Sequence, residues 1–183
     1  NGKYEISKSS LRDFHESRWE VLENTNTDLF ACETIPSFQE AEVLLEILCQ
    51  TPEKYAWISF SCSDEKHISD GTPIRECASL FKDCQQVVAV GINCTAPKYI
   101  PSLIEQILLG APEKPVVVYP NSGNIYDNKT RTWLDNSNPI NCGIAALDWF
   151  RGGAQLIGGC CQTGPEHISA MKTNLQNQGL FQV

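Results

Sequence analysis

Five apolar segments, each followed by a segment with helical periodicity, restrict the folds open to this chain more than any other feature. Strands are predicted at residues 28–33, 55–62, 86–94, 115–120 and 154–159. The segments are apolar throughout rather than alternating, which is typical of strands that helices cover. A strand, a helix and another strand in succession favour parallel pairing with right-handed crossovers. The sequence therefore predicts an α/β fold built on a parallel sheet.

Two architectures fit this pattern, an open doubly wound sheet or part of an eight-stranded (β/α)8 TIM barrel. No Gly-x-Gly-x-x-Gly turn follows the first predicted strand, which weakens the dinucleotide-binding version of the open sheet. A long loop is predicted from residue 121 to about residue 138. The chain shows no internal repeat, low-complexity tract or linker, so residues 1–183 are interpreted as one domain.

Composition excludes several classes of partner. The formal net charge is −8, whereas a nucleic-acid-binding protein needs a basic face. No run approaches the roughly 20 apolar residues that span a bilayer, and the first residues do not resemble a secretory signal. Nine cysteines are an odd number in a chain of ordinary length. These features favour a cytoplasmic protein with reduced thiols over a disulfide framework.

Three cysteines at predicted strand ends are the strongest candidates for chemistry. Cys160 and Cys161 are adjacent and follow Gly158 and Gly159 at the end of the fifth strand, and Cys94 ends the third. Three thiolates can hold a metal ion such as Zn²⁺ and leave its fourth position open. Glycine reaches backbone conformations that are closed to other residues. We therefore expect the two glycines to turn both adjacent thiols toward one point.

Other side chains at the same ends of the strands extend this candidate site. Glu33 ends the first predicted strand and Tyr119 lies near the end of the fourth. In a barrel the first, third and fifth strands contribute to the same layer, so Glu33 is expected to converge with the cysteines. Tyr119 has two interpretations, stacking on a cationic ligand or packing in the core.

The competing interpretation is that the cysteines are small core residues, as most cysteines are. It applies best to cysteines away from the candidate cluster, namely Cys32, Cys49, Cys62, Cys77, Cys84 and Cys142. Cys94 is far from the adjacent pair along the chain, so these cysteines do not have the short paired spacings of a zinc finger. Spacing alone does not decide whether the three cysteines at the strand ends bind a metal or pack in the core.

The three histidines offer a weaker alternative. His15 lies on a predicted helix, His67 in a polar loop and His167 in the first turn of the last helix, where surface or capping roles are expected. A Cys-His nucleophile is possible, with His167 six residues past Cys161, and a thiol enzyme or redox protein that uses Cys160 or Cys161 as nucleophile stays open as a third hypothesis. It predicts an activity that alkylation abolishes and chelators do not affect.

Several short runs point together to one family. They are Glu33-Thr34-Ile35-Pro36-Ser37, Ser59-Phe60-Ser61-Cys62, Gly91-Ile92-Asn93-Cys94, Tyr119-Pro120-Asn121-Ser122-Gly123 with Ile125-Tyr126-Asp127, and Gly158-Gly159-Cys160-Cys161. Together they resemble the homocysteine S-methyltransferases, and are most similar to the branch that uses S-methylmethionine or S-adenosylmethionine. The resemblance covers nearly the whole chain, and its last motif is specific in combination with Gly-Ile-Asn-Cys upstream.

The resemblance implies a zinc-dependent (β/α)8 barrel with about five of its eight β/α units in this chain. Cys94, Cys160 and Cys161 match the zinc ligands, and Glu33 matches the acidic residue that contacts the amino group of homocysteine. The implied reaction is attack of the homocysteine thiolate on the methyl group of a sulfonium donor, which gives methionine. The leaving group is a neutral thioether, so no general acid is required.

The chain departs from the family pattern in two respects. Family members are longer and begin with strands that have no counterpart here, so the first and fifth strands are expected to be open edges. A missing N-terminal segment or a second chain would supply the rest of the barrel and much of the methyl-donor pocket. Gln162 stands where many relatives carry arginine. The alternative function is a truncated, inactive zinc-binding fragment or a partner-binding half of a barrel.

Overall fold

The computed structural model of the chain describes residues 2, 4–127, 129–134 and 141–180. The helices are α1 (Lys8–Glu23), α2 (Phe38–Leu48), α3 (Ile74–Phe81), α4 (Ile100–Gly110), α5 (Cys142–Arg151) and α6 (Pro165–Asn177), with a 3₁₀ turn at Pro97–Tyr99. The strands are β1 (Phe30–Ile35), β2 (Ala56–Phe60), β3 (Val87–Asn93), β4 (Val116–Tyr119), β5 (Ile125–Asp127), β6 (Thr132–Leu134) and β7 (Ala154–Ile157). Among the described residues, no helix combines the length and apolarity that a bilayer crossing requires.

One parallel sheet contains the five predicted strands in the order β1-β2-β3-β4-β7. Every neighbouring pair is parallel, so the carboxyl ends of all five strands lie along one edge. The order follows the chain without reversing, as in a barrel, whereas a doubly wound sheet reverses at its switch point. The predicted succession of β/α units is therefore confirmed, and it places the candidate residues at a common edge.

The core lies between one face of this sheet and the helices. Phe60 from β2, Ile92 from β3, Phe81 from α3 and Ile104 from α4 are all fully buried. Burying a side chain of this size stabilises the fold by about 1.5–3 kcal/mol. The central strands therefore form a rigid platform, and the residues that follow them are held by a packed core.

The prediction of a long loop after the fourth strand is partly wrong. Strands β5 and β6 form an antiparallel hairpin within it, and the rings of Tyr126 and Trp133 face each other across the pair at a centroid distance of 5.1 Å. Such cross-strand aromatic pairs stabilise short hairpins. Strands of three residues are too short for a periodic pattern, so sequence periodicity missed them. Residues 128 and 135–138 of the predicted loop lie outside the described residues.

Candidate metal centre

The ends of three adjacent strands position the candidate cysteines. Cys94 directly follows β3, and Cys160 and Cys161 follow β7, while β4 lies between these two strands. The Cys94 N–H donates to the carbonyl of Tyr119 at 3.2 Å, and the Cys160 N–H donates to the carbonyl of Pro120 at 2.9 Å. The end of β4 therefore ties both cysteine segments to one place.

The structure brings the three sulfur atoms together. The Sγ atoms of Cys94 and Cys161 are 3.5 Å apart, those of Cys160 and Cys161 are 4.0 Å apart, and all three lie within 4.8 Å of one another. Zinc–thiolate bonds of about 2.3 Å in a tetrahedron separate two sulfurs by about 3.8 Å. The sulfur triangle therefore fits three ligands of one tetrahedral ion. It is the only group of three such donors in the part of the chain that the structure describes.

The surroundings of Cys94 oppose a negative charge on its sulfur in the absence of a cation. Burial, followed by the neighbouring thiols Cys161 and Cys160, raises the pKa of Cys94 to about 12. The Cys94 thiol therefore resists ionisation by itself, because burial and negative charge on the neighbouring sulfurs oppose it. A bound cation reverses this preference and deprotonates coordinating thiols. Sulfur donors of this kind suit zinc and other thiophilic ions.

The two glycines before the cysteine pair do not have the unusual backbone conformations that the sequence analysis expected. Neither Gly158 nor Gly159 has a backbone in the left-handed region. Gly159 is required for space, because a Cβ there would lie 2.3 Å from Oγ1 of Thr163. The Thr163 hydroxyl in turn donates to the carbonyl of Cys160 at 2.6 Å, which fixes the turn after β7. The left-handed residues at this site are Cys94, with a φ of 49°, and Gln162, with a φ of 62° and an exposed side chain.

A bulge at the end of β1 presents Glu33. Cys32 pairs with Ile58 and Ile35 pairs with Phe60, so β1 carries one extra residue between these positions. Glu33 lies in the bulge with an exposed side chain. The structure therefore places Glu33 on the same edge of the sheet as the cysteines.

The Tyr119 hydroxyl lies beside the Glu33 carboxylate and inside a hydrogen-bond network. It accepts from Nε1 of Trp57 at 3.0 Å and is hydrogen-bonded to Oγ of Ser59. Burial, more than the nearby Glu33 carboxylate, raises the pKa of Tyr119 to about 12, although the bonds to Ser59 and Trp57 oppose the shift. Trp57 and Ser59, two apart on β2, point to the same face of the sheet. Sequence reasoning assigned neither residue a role, although a polar side chain within an apolar strand is a usable signal.

The histidines have partners away from the sulfur triangle. Nδ1 of His167 accepts from the Gly164 N–H at 3.0 Å and so caps α6, as expected from its position in the first turn. His15 pairs with Glu40 at 2.8 Å between α1 and α2. Nδ1 of His167 is therefore engaged by the backbone at the start of α6 rather than by the Cys161 thiol.

Comparison with known proteins gives a consistent assignment. A sequence profile described as homocysteine S-methyltransferase matches residues 1–175. The chain is 48% identical over 167 residues to homocysteine S-methyltransferase YbgG of Bacillus subtilis, covering 91% of this chain and 53% of the relative. It is 42% identical over 174 residues to homocysteine S-methyltransferase of Escherichia coli, covering 93% of this chain and 55% of the relative.

A solved structure matches equally well. The metallated form of the homocysteine methyltransferase MmuM from Escherichia coli superposes with a TM-score of 0.79 at 39% identity, over 94% of this chain and 54% of that chain. That enzyme is a TIM barrel, and the five-stranded sheet fits as part of one, which confirms the predicted fold class. The chain spans about half the length of the curated relatives it matches.

Proposed function

The chain belongs to the homocysteine S-methyltransferase family, and we propose that the complete protein methylates homocysteine to methionine in the cytoplasm. The proposed methyl donor is a sulfonium compound, S-methylmethionine or S-adenosylmethionine. We propose that residues 1–183 act as one homocysteine-binding domain. The observation that carries the proposal is the triangle of sulfur atoms at the carboxyl edge of the sheet, all within 4.8 Å of one another.

The proposed metal is Zn²⁺, with Cys94, Cys160 and Cys161 as its ligands. Three thiolate donors suit this ion, and held by them it would be able to take up the sulfur of a substrate. A free thiol has a pKa of about 8.5 and is mostly protonated at neutral pH. When bound, the ion would lower the pKa of a coordinating thiol and so supply a thiolate. The similar methyltransferase MmuM has been crystallised in a metallated form, which supports a metal here.

The remaining tasks fall to the protein side chains. Glu33, exposed at the edge of the sheet, would hold the ammonium group of homocysteine by a charge-assisted hydrogen bond. Methyl transfer then forms a bond from the homocysteine sulfur to the methyl carbon and breaks the bond from that carbon to the sulfonium sulfur. The electron pair stays on the departing sulfur, which becomes a neutral thioether. No proton moves in this step, so a general acid is unnecessary and alignment of the two sulfurs is the main requirement.

Elemental analysis of the purified chain, with and without homocysteine, tests the metal site directly. We expect close to one zinc per chain and its loss in Cys160→Ala. A methyl-transfer assay with each donor in turn then identifies the donor. A metal-free chain whose Cys94, Cys160 and Cys161 thiols are readily alkylated would overturn the proposal.

A second candidate function rests on the edges of the sheet. Among the described residues, β1 and β7 each pair with a single neighbouring strand, and the chain covers only 53% of the YbgG relative. The chain would then bind zinc, or a partner that completes the barrel, without turning substrate over. Methyl transfer assayed on the chain alone separates the two candidates. Full activity excludes the fragment hypothesis, whereas bound zinc without turnover supports it.

A further inference from the structure

A fully buried asparagine connects the bulge of β1 to the sulfur triangle. Asn93, the last residue of β3, is 0% exposed. Its Oδ1 accepts from the Thr34 N–H at 2.7 Å and from Oγ of Ser59 at 3.0 Å. Its Nδ2 donates to Oγ1 of Thr34 at 2.6 Å and lies 4.0 Å from Sγ of Cys160. The side chain therefore touches three separate elements of the candidate site.

The neighbours of Asn93 fix which way its amide group faces. The backbone N–H of Thr34 can only donate, so the oxygen of the Asn93 carboxamide must face it. The nitrogen then faces the opposite side, toward Oγ1 of Thr34 and Sγ of Cys160. The donor at the sulfur is therefore set by a backbone group and does not depend on a free choice of amide orientation.

The same contacts hold the bulge that presents Glu33. The extra residue of a bulge loses its partner in the ladder of backbone hydrogen bonds. At Thr34 the side chain of Asn93 replaces that partner, because its oxygen accepts the Thr34 N–H. Thr34 has a φ of 61°, a left-handed conformation that costs energy in a β-branched residue unless its surroundings stabilise it. Asn93 therefore stabilises the backbone immediately after Glu33.

A serine on β2 also holds the Asn93 carboxamide. Ser59 has a single hydroxyl proton and donates it to Oδ1 of Asn93, and its oxygen is hydrogen-bonded to the Tyr119 hydroxyl. The Tyr119 hydroxyl also accepts from Nε1 of Trp57 and lies beside the Glu33 carboxylate. Hydrogen bonds joined in this way polarise one another, so the network supports the carboxamide whose N–H faces Cys160.

We propose that Asn93 is a positioning residue that orients the Cys160 thiolate for metal binding and holds the bulge that carries Glu33. The inference rests on the proposed metal site. A separation of 4.0 Å is long for a neutral thiol, and the negative charge of a thiolate draws the N–H donor closer. A hydrogen bond to a ligand atom from outside the metal's coordination shell fixes the ligand's orientation and tunes its electron donation.

Cobalt(II) binding to the full chain, followed by titration and absorption spectroscopy, tests the proposal without an activity assay. In Asn93→Leu we expect Co²⁺ affinity to fall by about 10- to 100-fold, the range for loss of such a supporting contact. The sulfur-to-cobalt charge-transfer band should also move to lower energy, because the sulfur keeps electron density that the N–H no longer draws. Thr95→Val is the matched control, since buried Thr95 bonds to the Cys62 N–H and to the Asn93 carbonyl but not to the Asn93 carboxamide.

Ser59→Ala provides a second variant if Asn93→Leu does not fold. It leaves Asn93 in place but removes one bond that holds its carboxamide, so a smaller loss of affinity and a smaller band shift in the same direction are expected. Wild-type affinity and band position in Asn93→Leu, or equal losses in Thr95→Val, would overturn the inference alone. A wild-type chain that binds no Co²⁺ at the cysteines would overturn the proposed metal site, and this inference with it.

Discussion

Cys77 and Cys160 are the same residue type in two opposite surroundings. Cys77 on α3 is 0% exposed and packs in the core, where burial raises its pKa far above the ordinary range. Cys160 is half-buried at the edge of the sheet and has two sulfur neighbours within 4.8 Å. Burial by itself makes a thiol inert, whereas three sulfur atoms close together at a half-buried edge are the donor set that a thiophilic cation prefers. The environment, and not the residue type, decides which cysteines can do chemistry.

Removing one thiol from the cluster and one from the core should give the largest difference in zinc affinity. Cys160→Ala is expected to lower zinc affinity by more than about 100-fold, beyond the usual cost of losing a supporting contact, because a proposed direct ligand is lost. Cys77→Ala should keep the metal and lose only about 1 kcal/mol of stability from a smaller core side chain. Zinc titration against a competing chelator measures both variants. Equal retention of zinc in the two would remove the distinction between the regions.

Metal removal should affect stability through the cluster alone. Zinc that binds only the native chain, at 100 times its dissociation constant, adds about 2.7 kcal/mol to the free energy of unfolding. We expect this gain in the wild-type chain and in Cys77→Ala, and its absence in Cys160→Ala. Denaturant unfolding with zinc and with chelator measures the difference. A similar gain in Cys160→Ala would show that zinc binds elsewhere.

The two glycines before the cysteine pair test whether the backbone at the sulfur cluster needs space that other residues would fill. A Cβ at Gly159 would lie 2.3 Å from Oγ1 of Thr163, whereas a Cβ at Gly158 would meet only Cβ of Tyr119 at 3.5 Å. Gly159→Ala is therefore expected to cost about 2 kcal/mol through overpacking and to weaken metal binding. Gly158→Ala, the matched control, should cost well under half of that. Unfolding curves that rank the two variants in the opposite order would contradict the steric explanation.

The smallest expected effect is the loss of stability at alkaline pH that the Cys32 thiol causes. Burial raises the pKa of Cys32 to about 12 from an ordinary value of 9.0. Between these values the unfolded chain loses the proton while the folded chain keeps it, so stability falls as pH rises above 9. From pH 9 to 10 the metal-free wild-type chain should lose about 1 kcal/mol more than Cys32→Ala. Parallel pH profiles of the two chains would show that Cys32 titrates normally when folded.

Local patterns predicted the sheet well because they act over short distances. Apolar runs such as residues 86–94 and 115–120 gave the strands, and the strands gave the edge at which Glu33, Tyr119 and Cys94 lie. The hairpin around Tyr126 was missed because its strands are short and depend on pairing with each other. Gly159 was predicted as important for the wrong reason, since its close contact is with Thr163 in the following turn.

The sequence by itself determined the order of β/α units, the residues at their ends and the family resemblance. Spacing left the metal role of the three cysteines open, because a separation along the chain does not specify a separation in space. Tertiary structure decided that β4 lies between the two cysteine-bearing strands and that their sulfurs meet within 4.8 Å. It also decided that Asn93 faces Thr34, Ser59 and Cys160 at once. Contacts of this kind join residues from different strands, and only the packing of the sheet brings those strands to one edge.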